Sequence, residues 1–261
     1  RGCRIDRERE WQTRLVLEAS LYPDSANHFV TWTYDDDFVP RDFGLHYRDV
    51  QLTFKKLRKA AGSFRHFTCG EYGSRTLRPH FHSILFGLSL SDLEVVARSE
   101  SGFPLFDSPL LQKVWGRGHV RIGRVNAQTC AYTAGYLLKD SGKAYANRWA
   151  FPHLDTGEII KRRAPFVAMS NRPGIGADWF SRYWRDCFPK DSLHVPKGDK
   201  ASENRRVSVP TFFLRKLRQF DPVMYAEVVS GRAVRRRDPD VKWNNTPDRR
   251  RVRAACRDAR M

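Results

Sequence analysis

The sequence predicts an α+β fold in which an antiparallel β-sheet is flanked by helices. Helix-like and strand-like segments follow one another along the chain, and two adjacent strand-like segments are joined by a connection short enough for a hairpin. A hairpin pairs its strands antiparallel. The chain has 261 residues, 41% of them hydrophobic, which is enough for one large domain or a domain with an appendage.

The hairpin is predicted at residues 64–87. Residues 64–71 and 79–87 are rich in the aromatic and β-branched side chains typical of strands, and the connection 72–78 contains glycine. Pro79 is compatible with a strand because it stands at the first position, where no hydrogen-bond donor is required.

Periodicity and capping residues predict the remaining elements. Apolar residues at helical spacing indicate helices, and Asn126 is a good N-cap for the helix that follows it. The predicted helices are 6–21, 49–60, 92–97, 127–139, 177–187, 211–218 and 222–229, and the further strands are 28–34, 119–125 and 166–170.

Three regions are predicted along the chain: a main domain over 1–188, a polar linker with short helices over 189–231, and a basic arm over 232–261. The arm contains eleven Arg or Lys residues and four Asp residues, a net charge of +7. It has little apolar surface besides one tryptophan. We therefore expect an arm that is flexible, or that becomes ordered on binding, since it cannot form a core alone.

The charge of the chain predicts a polyanionic partner. The net charge is +18 and the isoelectric point about 10.1, which favours nucleic acid over a membrane surface. No stretch approaches the ~18 apolar residues that a membrane span requires, and the charged amino end is not typical of a signal peptide. The first residue is not Met, which indicates a trimmed or partial chain. Five scattered cysteines without a CxxC pair favour a reducing cytoplasm.

Two histidines at the start of a predicted strand form half of a candidate metal site. His80 and His82 are two residues apart and therefore point to the same face of the strand. The hairpin would bring Glu71 beside His80, adding an oxygen ligand to two nitrogens. The competing interpretation is a structural or surface histidine pair.

A second group of candidate residues follows Asn126. Tyr132 and Tyr136 are four apart and lie on one helical face, which Lys139 joins. A packing helix is the alternative. A free phenol has a pKa of about 10, so a nucleophilic tyrosine at neutral pH needs a cation nearby.

These motifs resemble those of the HUH endonucleases, the rolling-circle replication initiators. Residues 31–34 (TWTY), 80–82 (HFH) and 136–139 (YLLK) occur in the order of that family's three motifs. The paired tyrosines and the segments 69–73 and 169–176 resemble more closely the replication initiators of small single-stranded DNA phages, the gokushovirus branch of the microviruses. The resemblance covers roughly residues 1–188.

The resemblance implies a HUH endonuclease fold with a central five-stranded antiparallel sheet and, beyond it, a helical and basic carboxyl-terminal extension. It implies that His80, His82 and Glu71 bind Mg²⁺ or Mn²⁺. Tyr136 would be the primary nucleophile and Tyr132 the alternating one.

In the same resemblance, Lys139 would be the electrostatic helper. Asp140, which follows it, departs from the pattern and would partly neutralise it or approach the metal. The candidate DNA contacts are Arg78, Arg121, Arg124 and Arg172.

The implied function is a metal-dependent, site-specific nickase and strand-transferase that initiates rolling-circle replication of a circular phage genome in the cytoplasm of its bacterial host. Its partners would be single-stranded origin DNA, a host polymerase and a host helicase, since the phosphate-binding motif GxxxxGK[ST] is missing. The alternatives are a non-catalytic single-strand binder, which would form no covalent adduct, another HUH enzyme (a relaxase or a transposase), and a basic phage scaffold or packaging protein.

Overall fold

The structure, a computed structural model, describes residues 2–73, 76–100, 102–136, 150–152, 157–188, 190–197 and 200–258. The strands are β1 (Asn27–Tyr34), β2 (Arg65–Tyr72), β3 (Pro79–Phe86), β4 (Glu94–Arg98), β5 (Pro104–Asp107), β6 (Gly118–Arg124), β7 (Ala150–Pro152), β8 (Ile159–Lys161), β9 (Phe166–Met169), β10 (Ser192–Lys197) and β11 (Lys200–Ser208). The helices are α1 (Gly2–Ala19), α2 (Tyr47–Ala61), α3 (Pro109–Trp115), α4 (Ala127–Gly135), α5 (Ala177–Cys187), α6 (Thr211–Phe220), α7 (Pro222–Arg237), α8 (Pro239–Asn244) and α9 (Pro247–Asp258).

The predicted α+β fold is confirmed, because helices flank a large antiparallel sheet. The strand order is β4-β5-β6-β1-β3-β2-β9, and every pair of neighbours is antiparallel. The sheet therefore has seven strands among the described residues, not the five expected. All five strands predicted from the sequence are in it.

The two additional strands form an edge hairpin, and one of them corrects a predicted helix. The segment 92–97 was expected to be helical, yet β4 pairs with β5, placing Val95 opposite Phe106. Consecutive β-branched residues, Val95 and Val96, favour a strand. The whole of β4 is exposed, so this strand depends on its hydrogen-bonding partner, which local periodicity does not reveal.

The sheet is buried on both faces because alternate residues of its central strands point to opposite sides. Phe81 of β3 and Trp32 of β1 pack into one core with residues of α2 and α3. Ile84 of β3 packs into a second core with Leu15 of α1 and Cys130 of α4. His80 and His82 have the same parity as Ile84, so they face the layer formed by α1 and α4.

Within the region 189–231 predicted as a polar linker with short helices, the strands β10 (Ser192–Lys197) and β11 (Lys200–Ser208) pair as an antiparallel hairpin. Leu193 and Val195 of this hairpin are buried in a third core with residues of α1, α5 and α6, among them Leu17 and Phe213. The polar and charged residues between the apolar ones make the composition resemble a linker. Alternation places those polar side chains on the outer face.

The basic region 232–258 is helical and mostly exposed, comprising the end of α7 with α8 and α9. Among the described residues, no helix is both long enough and apolar enough to cross a lipid bilayer.

Candidate metal centre

Strand pairing brings together the three predicted metal ligands. In the β2–β3 register Glu71 lies opposite His80, and Cys69 opposite His82. The Nε2 atoms of His80 and His82 lie 2.9 and 3.0 Å from Glu71 Oε1. Glu71 and His82 are buried and His80 is half-buried. Within the described part of the chain, this is the one group of His, Cys, Asp or Glu whose ligand atoms converge in this way, within 4.8 Å of one another.

Further contacts orient both imidazoles. His80 Nδ1 lies 3.1 Å from the carbonyl oxygen of Arg78, and His82 Nδ1 lies 3.0 Å from Thr31 Oγ1. Because a carbonyl oxygen only accepts, His80 carries its hydrogen on Nδ1 and a neutral ring presents the Nε2 lone pair to Glu71. The ring of Phe29 stacks on His82 with centroids 5.5 Å apart.

This donor set fits a divalent cation. The lone pairs of a neutral His80 ring and of the Glu71 carboxylate meet at 2.9 Å, and only a proton or a cation relieves that repulsion. Two imidazole nitrogens and one carboxylate are a common ligand combination for first-row divalent metals. Burial acts to raise the pKa of Glu71. When a proton lies in the contact with His80, hydrogen bonding with His80, His82 and Tyr136 outweighs burial and holds that pKa well below its usual range. The carboxylate is therefore ready to bind a cation at neutral pH.

Helix α4 directs both candidate tyrosines at the same cluster. It starts in a capping box, where Asn126 and Thr129 each accept a hydrogen bond from the other's backbone N–H. The Tyr136 hydroxyl donates to Glu71 Oε1 over 2.5 Å and also contacts the Tyr132 hydroxyl. The Tyr132 hydroxyl lies 3.5 Å from His82 Nε2 and 3.4 Å from Glu71 Oε1.

The two tyrosines differ in exposure, and the pKa of both is raised. Tyr136 is 4% exposed and Tyr132 is 48% exposed. Burial raises the pKa of Tyr132 to about 12, and the negative charge of Glu71 adds to the rise. Burial and the hydrogen bond to Glu71 raise the pKa of Tyr136 further. In the absence of a cation, the site thus disfavours both phenolates.

Two of the predicted positions lie outside the described residues. These are Lys139 and its neighbour Asp140, which follow Tyr136 in the segment 137–149. Their predicted roles stay predictions.

The four candidate DNA contacts occupy different places. Arg78 donates to the Tyr34 carbonyl oxygen over 2.8 Å and pairs with Asp36, tying the loop after β1 to the start of β3. Arg172 is exposed in the turn after β9, at the end of the sheet opposite Glu71, as the β2–β9 register shows.

The other two candidates lie on β6 and point to opposite faces of the sheet, because they are three residues apart. Arg121 pairs with Thr31 in the β1–β6 register, so its side chain lies on the face of the sheet that carries His80 and His82. It also forms an ion pair of 2.7 Å with Asp107. Arg124 is exposed at the end of the strand.

Sequence reasoning missed Thr31 and Phe29 as parts of the site. Both lie on β1, and Thr31 is opposite His82 in the β1–β3 register. Thr31 belongs to the TWTY motif, which was noted for its order in the chain. Only the pairing of β1 with β3 shows that its hydroxyl meets an imidazole.

Comparison with known proteins supports the resemblance predicted from the motifs. Residues 27–141 match the family model described as replication-associated protein ORF2/G2P. This segment contains β1, the group formed by Glu71, His80 and His82, and both tyrosines.

Similarity to curated proteins extends beyond that segment. The chain is 28% identical to replication-associated protein ORF2 of Spiroplasma virus 4, over 87% of this chain and 69% of the relative. It is 26% identical to replication-associated protein VP4 of Bdellovibrio phage phiMH2K, over 76% of this chain and 61% of the relative. It is also 26% identical to replication-associated protein ORF4 of Chlamydia phage 1, over 82% of this chain and 52% of the relative.

These relatives confirm the predicted resemblance to the replication proteins of small phages. The alignments cover 69%, 61% and 52% of the lengths of these three relatives. No solved structure matches the chain.

Proposed function

We propose that this chain is a metal-dependent, site-specific single-strand DNA nickase and strand-transferase that initiates rolling-circle replication of a circular phage genome. One observation carries the proposal: the hydroxyls of Tyr132 and Tyr136 converge on the Glu71, His80 and His82 cluster. The phage replication-associated relatives support a replication role. The net charge of +18 suits a nucleic-acid substrate.

In the proposed reaction, the phenol oxygen of Tyr136 attacks the scissile phosphorus as the bond to the 3′ oxygen breaks. The products are a 5′-phosphotyrosyl ester and a free 3′ hydroxyl, which takes up the proton that the phenol loses. One phosphoester replaces another, so the reaction can run in reverse to join strands. Glu71 Oε1 accepts the hydrogen bond from Tyr136 and is positioned to guide that proton away.

Bound by Glu71, His80 and His82, Mg²⁺ or Mn²⁺ would withdraw charge from the phosphate and favour the phenolate. The chain itself supplies the rest of the site. Thr31 and the Arg78 carbonyl hold the imidazoles in place, and Phe29 packs against both His82 and Tyr132.

The second tyrosine permits a second transfer without release of the protein. The Tyr132 hydroxyl contacts the Tyr136 hydroxyl. When a free 3′ hydroxyl attacks the phosphotyrosyl ester on one of the two residues, the strand is joined and that tyrosine is released. The phenol of the other tyrosine is then available for the next cut. In this scheme the 3′ hydroxyl primes a host polymerase, a host helicase unwinds the duplex, and the protein acts in the host cytoplasm.

The decisive experiment is adduct formation. Labelled single-stranded origin DNA is incubated with the protein and Mn²⁺, with or without EDTA, and resolved on a denaturing gel. We compare wild type, Tyr136→Phe, Tyr132→Phe and the double variant. Tyr183→Phe, which alters an exposed tyrosine on α5, is the matched control.

A metal-dependent, denaturation-resistant band that persists in Tyr183→Phe and vanishes in the double variant is expected. Loss in Tyr136→Phe alone would make Tyr132 secondary. If the protein bound the DNA tightly both with and without EDTA, and no variant gave a covalent band, the proposal would be overturned in favour of a non-catalytic single-strand binder.

A further inference from the structure

A large basic cavity lies between α1, the β10–β11 hairpin and α7, and its lining does not include Glu71, His80 or His82. Its volume is about 850 Å³, and its lining includes seven basic and three acidic side chains, a net charge of +4. Its few apolar lining residues are valines, and no aromatic side chain among the described residues lines it. Bases bind single-strand sites by stacking on aromatic rings, so this surface is suited to phosphates rather than bases.

Two of the three acidic side chains accept hydrogen bonds from other groups of the protein. Asp191 accepts two hydrogen bonds from Arg232, of 2.9 and 2.6 Å, and one of 2.5 Å from Arg235. Glu10 accepts from the backbone N–H and the hydroxyl of Thr211, at the start of α6. Asp191 is therefore paired with two of the seven basic side chains, and five basic side chains face the two other carboxylates.

Other arginines in the cavity have unused donors. Arg206 and Arg236 are exposed, and neither forms an ion pair with a carboxylate among the described residues. The Nε atom of Arg205 is buried without a hydrogen-bond partner. Burial and the positive charge of Arg9 lower the pKa of Arg205, as is expected where guanidinium groups face one another without an anion. A buried donor without an acceptor is destabilising, and a phosphate oxygen would supply the acceptor.

The cavity is also connected to the helix that carries the tyrosines. The Nη2 atom of Arg205 donates a hydrogen bond to Gln12 Oε1 over 2.5 Å. The amide nitrogen of the same Gln12 donates to the carbonyl oxygen of Ala127, the first residue of α4, over 3.1 Å. An anion in the cavity would therefore contact a side chain linked to α4 by two hydrogen bonds.

We propose that this cavity binds the phosphodiester backbone of the DNA that flanks the cleavage site, independently of its sequence and of any metal. The inference rests on the proposed function for the identity of the DNA, and its chemistry rests on the unpaired arginines. Guanidinium groups suit phosphate because their planar donors match its oxygens. The volume exceeds what a single phosphate group needs, which favours a continuous backbone.

The test measures binding of a labelled single-stranded oligonucleotide without the origin sequence, in EDTA, by fluorescence anisotropy over a range of salt concentrations. Wild type is compared with Arg206→Gln/Arg236→Gln. The control is Lys55→Gln/Lys59→Gln, an equal charge change on exposed residues of α2, which covers the other face of the sheet. Thermal unfolding checks that each variant is folded.

On a single strand, each phosphate contact contributes about 0.7 to the magnitude of the slope of log affinity against log salt. The cavity variant should therefore lower the magnitude of that slope by about 1.4, while the control should match wild type. Equal losses in both variants would mean that net charge alone acts and would overturn the proposal, as would an unchanged slope in the cavity variant.

A second arm separates a backbone site from a site for one phosphate group. Inorganic phosphate is titrated into the wild-type protein by calorimetry at constant ionic strength. Weak or undetectable binding supports the backbone assignment, and saturable tight binding overturns it. Neither arm involves cleavage, so failure of the nickase proposal would not affect the outcome.

Discussion

The Tyr136 hydroxyl donates a 2.5 Å hydrogen bond to Oε1 of Glu71, the same oxygen that faces the Nε2 atoms of His80 and His82. The candidate nucleophile thus shares an acceptor with the candidate metal ligands. This contact raises the pKa of the phenol because a carboxylate disfavours a phenolate beside it. Tyrosine activation and cation binding are therefore coupled through one carboxylate.

Replacing Glu71 with Gln should separate these two effects. The amide has the shape of the carboxylate but lacks its charge. We expect Mn²⁺ affinity to fall by more than the about 10–100-fold that loss of an outer-shell contact costs, and the covalent adduct to disappear. Calorimetric titration with Mn²⁺ measures the first effect and the denaturing gel the second. Wild-type Mn²⁺ affinity in Glu71→Gln would contradict the assignment of Glu71 as a ligand.

Replacing Thr31 with Val should weaken metal binding without removing a ligand. The hydroxyl holds His82 through Nδ1 at 3.0 Å, and loss of such an outer contact costs about 10–100-fold in metal affinity. Thr33→Val is the matched control, since Thr33 is two residues along the same strand and faces the same side. Equal Mn²⁺ affinities in the two variants would show that Thr31 does not position His82.

Stability should decrease in acid because of a buried histidine on β2. Burial, with the charges of Arg58 and Arg65, lowers the pKa of His66 from 6.5 to about 3. Between these values the unfolded chain binds a proton that the folded chain does not, so the free energy of unfolding falls as pH falls, by up to about 1.4 kcal/mol per pH unit. Denaturant unfolding of wild type and His66→Gln from pH 7 to pH 4 checks this. The variant should show a shallower slope, and parallel slopes would contradict the prediction.

Replacing Gly118 with Ala should destabilise the junction of β1 and β6. Gly118 has φ near +139°, and a methyl group there would overlap the Asp35 nitrogen and the Thr33 carbonyl oxygen. We expect a loss of more than about 1 kcal/mol in the free energy of unfolding. Gly135→Ala is the control, because nothing lies within 4 Å of its added methyl group, and it should stabilise α4 by up to about 1 kcal/mol. Similar unfolding midpoints for the two variants would contradict this account.

Much of the site could be predicted because its residues are coupled by short-range rules. Alternation places His80 and His82 on one face, a hairpin of this length places Glu71 beside His80, and a four-residue spacing places Tyr132 above Tyr136 on a helix. The structure brings these groups to one point. Each rule needs only a local element, and local patterns determine those elements.

The sequence alone determined the α+β class, five of the seven strands of the large sheet and the candidate ligands, since these follow from periodicity and spacing. Tertiary structure decided what depends on a distant partner. Strands β10 and β11 lie in a polar segment, and Leu193 and Val195 of β10 are buried in a core shared with Leu17 of α1. Thr31 meets His82 only through the pairing of β1 with β3. Such contacts join residues far apart in the chain, and no window of local sequence contains both members of the pair.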